Sequence, residues 1–229
     1  MEEKNRMWEN FFDNEKKFLN PYIHKMTEYQ DYIIYDKKRI DSTCGKWNEV
    51  FSNNNQLFLE IGSGSGNFAV KNGEKYRNRN YLGVELRFKR LVLAAGKARK
   101  RELKNIMFLR RNGNDLTKFI GENEIDGLYI NFPDPWEKKV KNRIISQRLF
   151  EQLRKIMKKN AKLYFKTDHY GYYCDVLELM KEIDGFKIVY NTDDLHNSEV
   201  SENNLTTEFE DLFLKQGLKI NYIEIEKEV

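Results

Sequence analysis

From residue 57 onward the chain alternates short apolar runs with amphipathic ones, and few architectures accept so regular an order. Residues 57–61 read as a strand, 62–66 as a turn, and a helix starts at residue 67. Residues 81–84 form the next strand, followed by a long basic helix through Leu103. Residues 106–109 and 127–130 are further strands. A helix over 146–157 precedes a strand at 162–166, and a helix over 172–182 precedes one at 186–189. Residues 207–216 read as the last helix and 219–225 as the final strand. Such alternation predicts an α/β fold, a mainly parallel sheet with helices on both faces. Right-handed crossovers then gather the carboxyl ends of the strands along one edge, where ligands bind. The polar segment 191–206 reads as a loop facing substrate. Residues 1–45 read as a helical N-terminal extension and 46–229 as the main domain. In the extension Trp8, Phe11, Phe12, Phe18 and Leu19 recur at helical spacing, with Pro21 ending that helix.

Composition removes several classes. Hydrophobic residues are 40% and charged residues 33%, too apolar for a disordered chain and too interrupted by charge for a membrane protein. No apolar run approaches the roughly 20 residues of a spanning helix. The start, Met1-Glu2-Glu3-Lys4, lacks the apolar stretch of a secretory signal. Cys44 and Cys174 cannot supply a disulfide framework, and His24, His169 and His196 are scattered, so no metal site is expected. These features predict a soluble cytoplasmic protein, monomer or homodimer.

The net charge of +4 hides an asymmetry. Basic residues crowd the stretches 87–111 and 138–159, whereas the chain turns acidic from Asp193. A basic run is often only a solvated helix face. Two of them flanking one candidate site fit a polyanion better, because each neutralised phosphate releases counterions.

Between the first strand of the alternation and its helix stands Glu60-Ile61-Gly62-Ser63-Gly64-Ser65-Gly66. Glycines there permit positive φ and close approach of a ligand to bare backbone. The dinucleotide pattern G-x-G-x-x-G needs glycine or alanine at position 67, which is Asn67, and a P-loop's Gly-Lys-Ser/Thr ending is missing. The pattern E-x-G-x-G-x-G is instead similar to the first motif of S-adenosylmethionine-dependent methyltransferases. That cofactor carries no pyrophosphate but a sulfonium and an ammonium, which a carboxylate such as Glu60 suits. Glu85, at the end of the next strand, is placed like an acid that holds ribose hydroxyls.

The most specific signal is Asn131-Phe132-Pro133-Asp134-Pro135-Trp136. Two of the chain's three prolines flank one aspartate at the end of a strand expected in the sheet centre. Prolines fix φ on both sides and restrict the preceding residues, so the carboxylate and the neighbouring aromatic are held in set positions.

That run, followed by Lys138-Lys139, resembles the signature of the bacterial tRNA (guanine-N7-)-methyltransferases. Gly45-Lys46-Trp47, Lys166-Thr167-Asp168, Asp194-Leu195-His196-Asn197-Ser198 and Thr207-Glu208-Phe209-Glu210 match further pieces in the family's order. The resemblance implies a Rossmann-like class I methyltransferase fold, with a seven-stranded sheet and an antiparallel final strand. It implies methyl transfer from S-adenosylmethionine, leaving S-adenosylhomocysteine, to N7 of guanine 46 in the tRNA variable loop. By the same resemblance Glu60, Gly62, Gly64, Glu85, Asn112 and Asp134 are cofactor contacts, and Asp134 is the catalytic residue. Lys138, Asp168, Thr207, Glu208, Phe209 and Glu210 are substrate contacts. The sequence departs from the family at Asn112, where aspartate is frequent, at Glu137, and in a less arginine-rich run after Trp136.

Three rivals fit less well. A methyltransferase acting on an exocyclic amine uses Asn/Asp-Pro-Pro-aromatic, whereas here the acid stands between the prolines. A noncatalytic RNA-binding module has no use for Glu60, the glycine turn, Glu85 and Asp134 together. A nicotinamide dehydrogenase is opposed by Asn67 and by the lack of a hydride-partner constellation.

Overall fold

The computed structural model describes residues 21–228, so Trp8, Phe11, Phe12, Phe18 and Leu19 lie outside the described residues. One sheet contains β1 (Ile33–Ile34), β2 (Gln56–Ile61), β3 (Arg79–Val84), β4 (Ile106–Leu109), β5 (Ile125–Asn131), β6 (Met157–Thr167), β7 (Phe186–Thr192) and β8 (Asn221–Lys227). Their order across it is β1-β4-β3-β2-β5-β6-β8-β7. Pairing is parallel from β1 to β6, and β8 runs antiparallel to both β6 and β7. The expected parallel sheet with an antiparallel final strand is therefore present, but with eight strands rather than seven. The additional strand is β1. Two residues carry no readable alternation, and Ile33 and Ile34 become strand only by pairing with Phe108 and Leu109.

The helices are α1 (Pro21–Thr27), α2 (Lys37–Asp41), α3 (Trp47–Phe51), α4 (Asn67–Lys75), α5 (Phe88–Lys100), α6 (Gln147–Ile156), α7 (Tyr170–Met180) and α8 (Glu208–Lys215). Pro21 is the first described residue of α1, and the helix expected to end at it lies outside the described residues. A proline at the first helical position lacks only an N–H that would be unbonded there anyway. The strand expected at 162–166 begins at Met157, directly after α6, because the exposed residues Lys158, Lys159 and Asn160 conceal its start.

Side chains alternate across each strand, and both faces are buried, as in parallel sheets covered on two sides. Leu57, Leu59, Leu82, Leu128 and Leu163 pack with Trp47, Phe150 and Tyr172 from α3, α6 and α7. Phe58, Tyr81 and Phe108 pack on the other face with Val70 from α4, Ala94 and Ala95 from α5, and Ile23 and Met26 from α1. On that face Tyr129 and Tyr164 stack with ring centroids 4.7 Å apart. Glu124 ties the approach to α3, accepting the N–H groups of Gly45 at 3.1 Å, Trp47 at 2.9 Å and Gly121 at 2.6 Å. Trp47 is buried and donates its indole N–H to the Phe119 carbonyl at 2.8 Å. The Gly45-Lys46-Trp47 piece of the family pattern is thus a structural anchor.

β2 and β5 are neighbours, and the chain leaves them toward opposite sides of the sheet, so the strand order reverses between them. The crevice at such a reversal is the standard ligand position in an open α/β sheet. Gly66 allows the turn after β2 to lie against α5. It sits at φ 75°, and an added Cβ would stand 2.6 Å from the Ala94 Cβ. Gly66→Ala is expected to destabilise the fold by about 2 to 4 kcal/mol, measured as a shift of the urea midpoint at unchanged slope.

Candidate active site

Both strands at the reversal end in the segments singled out from the sequence. After β2 the chain turns through Gly62 and Gly64, whose φ values are 77° and 54°, in the left-handed region that glycine adopts without strain. The N–H groups of Gly62 and Ser63 donate to the Val84 carbonyl at 2.8 and 3.0 Å, which pins the turn to the end of β3. Beyond its chain neighbours, no atom of the described residues comes within 4 Å of a Cβ built at Gly62, so that side of it is open.

Glu60 lies beneath this turn, 6% exposed. Its Oε1 accepts the Asn131 side-chain N–H at 3.1 Å. Burial pushes its carboxyl up to about 7, against the opposing pull of the Asn131 hydrogen bond and the Lys166 ammonium. Among the described residues, Oε2 of Glu60, Oγ of Ser63 and Oδ1 of Asn131 are buried without a hydrogen-bond partner. Three unpaired polar atoms around one glycine turn are costly unless a ligand completes them.

After β5, Phe132 and Trp136 sit at φ 50° and 44°, strained values for bulky side chains. The Phe132 N–H donates to the Lys166 carbonyl at 2.8 Å, and the Trp136 N–H donates to Oδ1 of Asp134 at 3.0 Å. Asp134 is exposed at the rim of a cleft of about 360 Å³, shared with Gly62, Glu85, Asn112 and Asn131. Glu85 accepts the N–H groups of Leu86 at 2.7 Å and Arg87 at 2.8 Å through Oε1. Asn112 accepts the Asn114 N–H at 3.0 Å. A recess of about 80 Å³ shares Gly62, Asn131 and Phe132 with the cleft and adds Glu60, Ser63, Gly64, Thr207, Glu208 and Phe209.

Residues 54–223 match the family described as "Putative methyltransferase". The chain belongs to this methyltransferase family. A tRNA (guanine-N(7)-)-methyltransferase of Clostridium botulinum is 40% identical to this methyltransferase over 187 residues, 78% of this chain and 85% of that protein. A bifunctional glycosyltransferase/methyltransferase of Fusobacterium nucleatum is 54% identical over 227 residues, 99% of this chain and 36% of that protein. The chain thus spans little more than a third of the length of that relative. Among solved structures, the 16S rRNA methyltransferase KamB superposes with a TM-score of 0.56 at 12% identity, over 81% of this chain and 94% of that one, a likeness of fold.

The methyl donor of this methyltransferase is S-adenosylmethionine, and the residues present fit it. The recess offers the unpaired atoms of Glu60, Ser63 and Asn131 to an amino-acid end. The adjoining cleft offers Glu85 and Asn112 to a nucleoside end.

Of the positions carried over for substrate, Lys138, Asp168 and Phe209 are exposed. Glu208 is half-exposed, accepts the Ser65 hydroxyl at 2.5 Å and lies 3.5 Å from Arg90. Thr207 and Glu210 are buried and cap α8 reciprocally: the Glu210 N–H donates to Thr207 Oγ1 at 3.0 Å, and the Thr207 N–H donates to Glu210 Oε2 at 3.2 Å. Glu210 also pairs with Lys166 at 2.9 Å and meets His196 at 2.9 Å. The sequence reading missed Lys166, Ser63 and Asn131 as parts of the site, although all three stand inside the quoted motifs. Tyr170 and Trp136 are 60% and 41% exposed.

The raised carboxyl of Glu60 has a measurable consequence. Its folded value lies above the ordinary one, so its contribution to stability is present at low pH and is lost as pH rises through about 7. A cationic ligand favours the carboxylate form. Calorimetry is therefore expected to show S-adenosylmethionine binding tighten as pH rises through about 7. Glu60→Gln is expected to abolish that dependence and weaken binding at higher pH by about tenfold or more.

Proposed function

We propose that this methyltransferase acts on tRNA and methylates N7 of guanine 46 in the variable loop. The observation that carries the reading is Asp134, clamped between Pro133 and Pro135 at the rim of the cleft that also holds Glu85 and Asn112. The name and 40% identity of the clostridial relative support it. The bound cofactor supplies an electrophilic methyl group on a sulfonium. Guanine N7 has a free lone pair and no proton, so the chain needs no general base. Its tasks are to align the base and to tolerate the positive charge that the base gains. In this reading Asp134 orients the guanine edge and balances that charge. Phe209, exposed at the recess, contacts the base, while Lys138 and Asp168 contact the RNA around it. Buried Thr207 and Glu210 hold the start of α8, and with it Glu208 and Phe209, against the glycine turn. With tRNA as substrate, the site of action is the cytoplasm.

The test is to incubate the purified chain with unmodified tRNA and methyl-labelled S-adenosylmethionine and then map the label. Borohydride-sensitive N7-methylguanine at position 46 is the expected product, and label at an exocyclic amine or another nucleotide removes the reading. Asp134→Ala is expected to lower kcat with saturating tRNA by about a hundredfold. Near-normal turnover would remove the role given to Asp134.

A further inference from the structure

In the basic stretch after Trp136, Lys138, Lys139 and Lys141 face solvent, but Arg143 does not. Its side chain is 6% exposed. Nε donates to the Pro135 carbonyl at 2.6 Å and Nη1 to Asp175 of α7 at 2.5 Å. The guanidinium lies 4.3 Å from the centre of the buried Tyr172 ring, whose hydroxyl in turn accepts the Ile145 N–H at 3.1 Å. Arg143 is thus fixed on three sides, with one donor aimed at the turn that carries Asp134.

We propose that Arg143 is a positioning residue for methyl transfer: by holding the Pro135 carbonyl it orients the peptide whose N–H grips Asp134. The proposal rests on the assignment of Asp134 above. The Pro135 carbonyl and the Trp136 N–H belong to one planar peptide unit and point to opposite sides of it. The proline ring fixes φ of Pro135 and leaves ψ as the free rotation of that unit. Arg143 grips one end, and at the other end the Trp136 N–H reaches Asp134 at 3.0 Å. A hydrogen bond to the carbonyl also polarises the unit and strengthens the bond its N–H donates. Trp136 sits at φ 44°, a strained value that persists only when neighbours over-determine it, and Arg143 is such a neighbour. A lysine cannot replace it, because only the planar fork serves the carbonyl and Asp175 together.

The test labels the whole chain with 5-fluorotryptophan and follows the Trp136 fluorine resonance, assigned with Trp136→Phe, beside steady-state kinetics. In Arg143→Lys the Trp136 resonance is expected to shift or broaden, and kcat to fall by about tenfold or more while KM for tRNA and cofactor stays within about twofold. Asp175→Asn loosens the tie to α7 but keeps the Pro135 contact, so it is expected to lower Tm while leaving the resonance and kcat in place. If Arg143→Lys fails to fold, Arg143→Ala with added guanidinium is the second arm, and partial recovery of kcat supports the proposal. An unmoved Trp136 resonance in Arg143→Lys overturns the brace, as does Asp175→Asn reproducing both effects. A moved resonance with unchanged kcat overturns the role in the reaction. If Asp134→Ala is then also active, the assignment of Asp134 fails with it, whereas loss of activity in Asp134→Ala confines the failure to Arg143.

Discussion

The reversal of strand order between β2 and β5 is the constraint on which the rest depends. Neighbouring parallel strands whose crossovers depart to opposite sides leave a crevice at their carboxyl ends that no helix covers. Each strand delivers a different tool to it: β2 brings Glu60 and the glycine turn, and β5 brings Asn131 and the proline-clamped Asp134. The hydrogen bond from Asn131 to Glu60, at 3.1 Å, spans the reversal and joins the two segments. Among the described residues, that junction is the hydrogen bond that sets the orientation of the buried Glu60 carboxyl.

A second buried contact organises the start of α8. Lys166 and Glu210 form an ion pair with side chains 5% and 0% exposed. Such pairs seldom add net stability, because desolvation offsets the attraction, but losing one partner costs about 3 to 5 kcal/mol. Burial lowers the pKa of the Lys166 ammonium, and the Glu210 carboxylate opposes that shift. Lys166 also donates to the Leu205 carbonyl at 3.0 Å and to the Asn204 side chain. The segment expected as a loop at 191–206 is therefore tied to β6 through its later part. The same anchoring brings Glu208 to Ser65, so the end of the loop is fastened to the glycine turn.

Charge read along the chain proved a poor guide to charge at the surface. The basic stretches suggested a footprint for a polyanion, yet several of their arginines lie over aromatic rings of the fold, and Arg143 is buried. Arg99 lies over Tyr29, Arg110 over Phe88 and Arg143 over Tyr172, at 4.0, 4.2 and 4.3 Å. Lys97 donates to the Ser65 carbonyl at 3.0 Å and so supports the turn from behind. Lys138, Lys139 and Lys141 keep the solvent-facing role that the sequence suggested.

Local rules were enough for most of the frame. Alternating strand and helix periods, and glycine and proline at set places, determined a parallel sheet with a glycine turn after β2 and a proline-flanked acid after β5. They did so because backbone torsion limits and side-chain periodicity are properties of neighbouring residues. What only the tertiary structure decided were the relations between segments far apart in sequence. Ile33 and Ile34 became a strand through β4, Lys166 found Glu210, and Arg143 turned inward to the Pro135 carbonyl instead of out to solvent. A buried polar group takes whichever partner the packed chain brings within about 3 Å, and no pattern of adjacent residues specifies that choice.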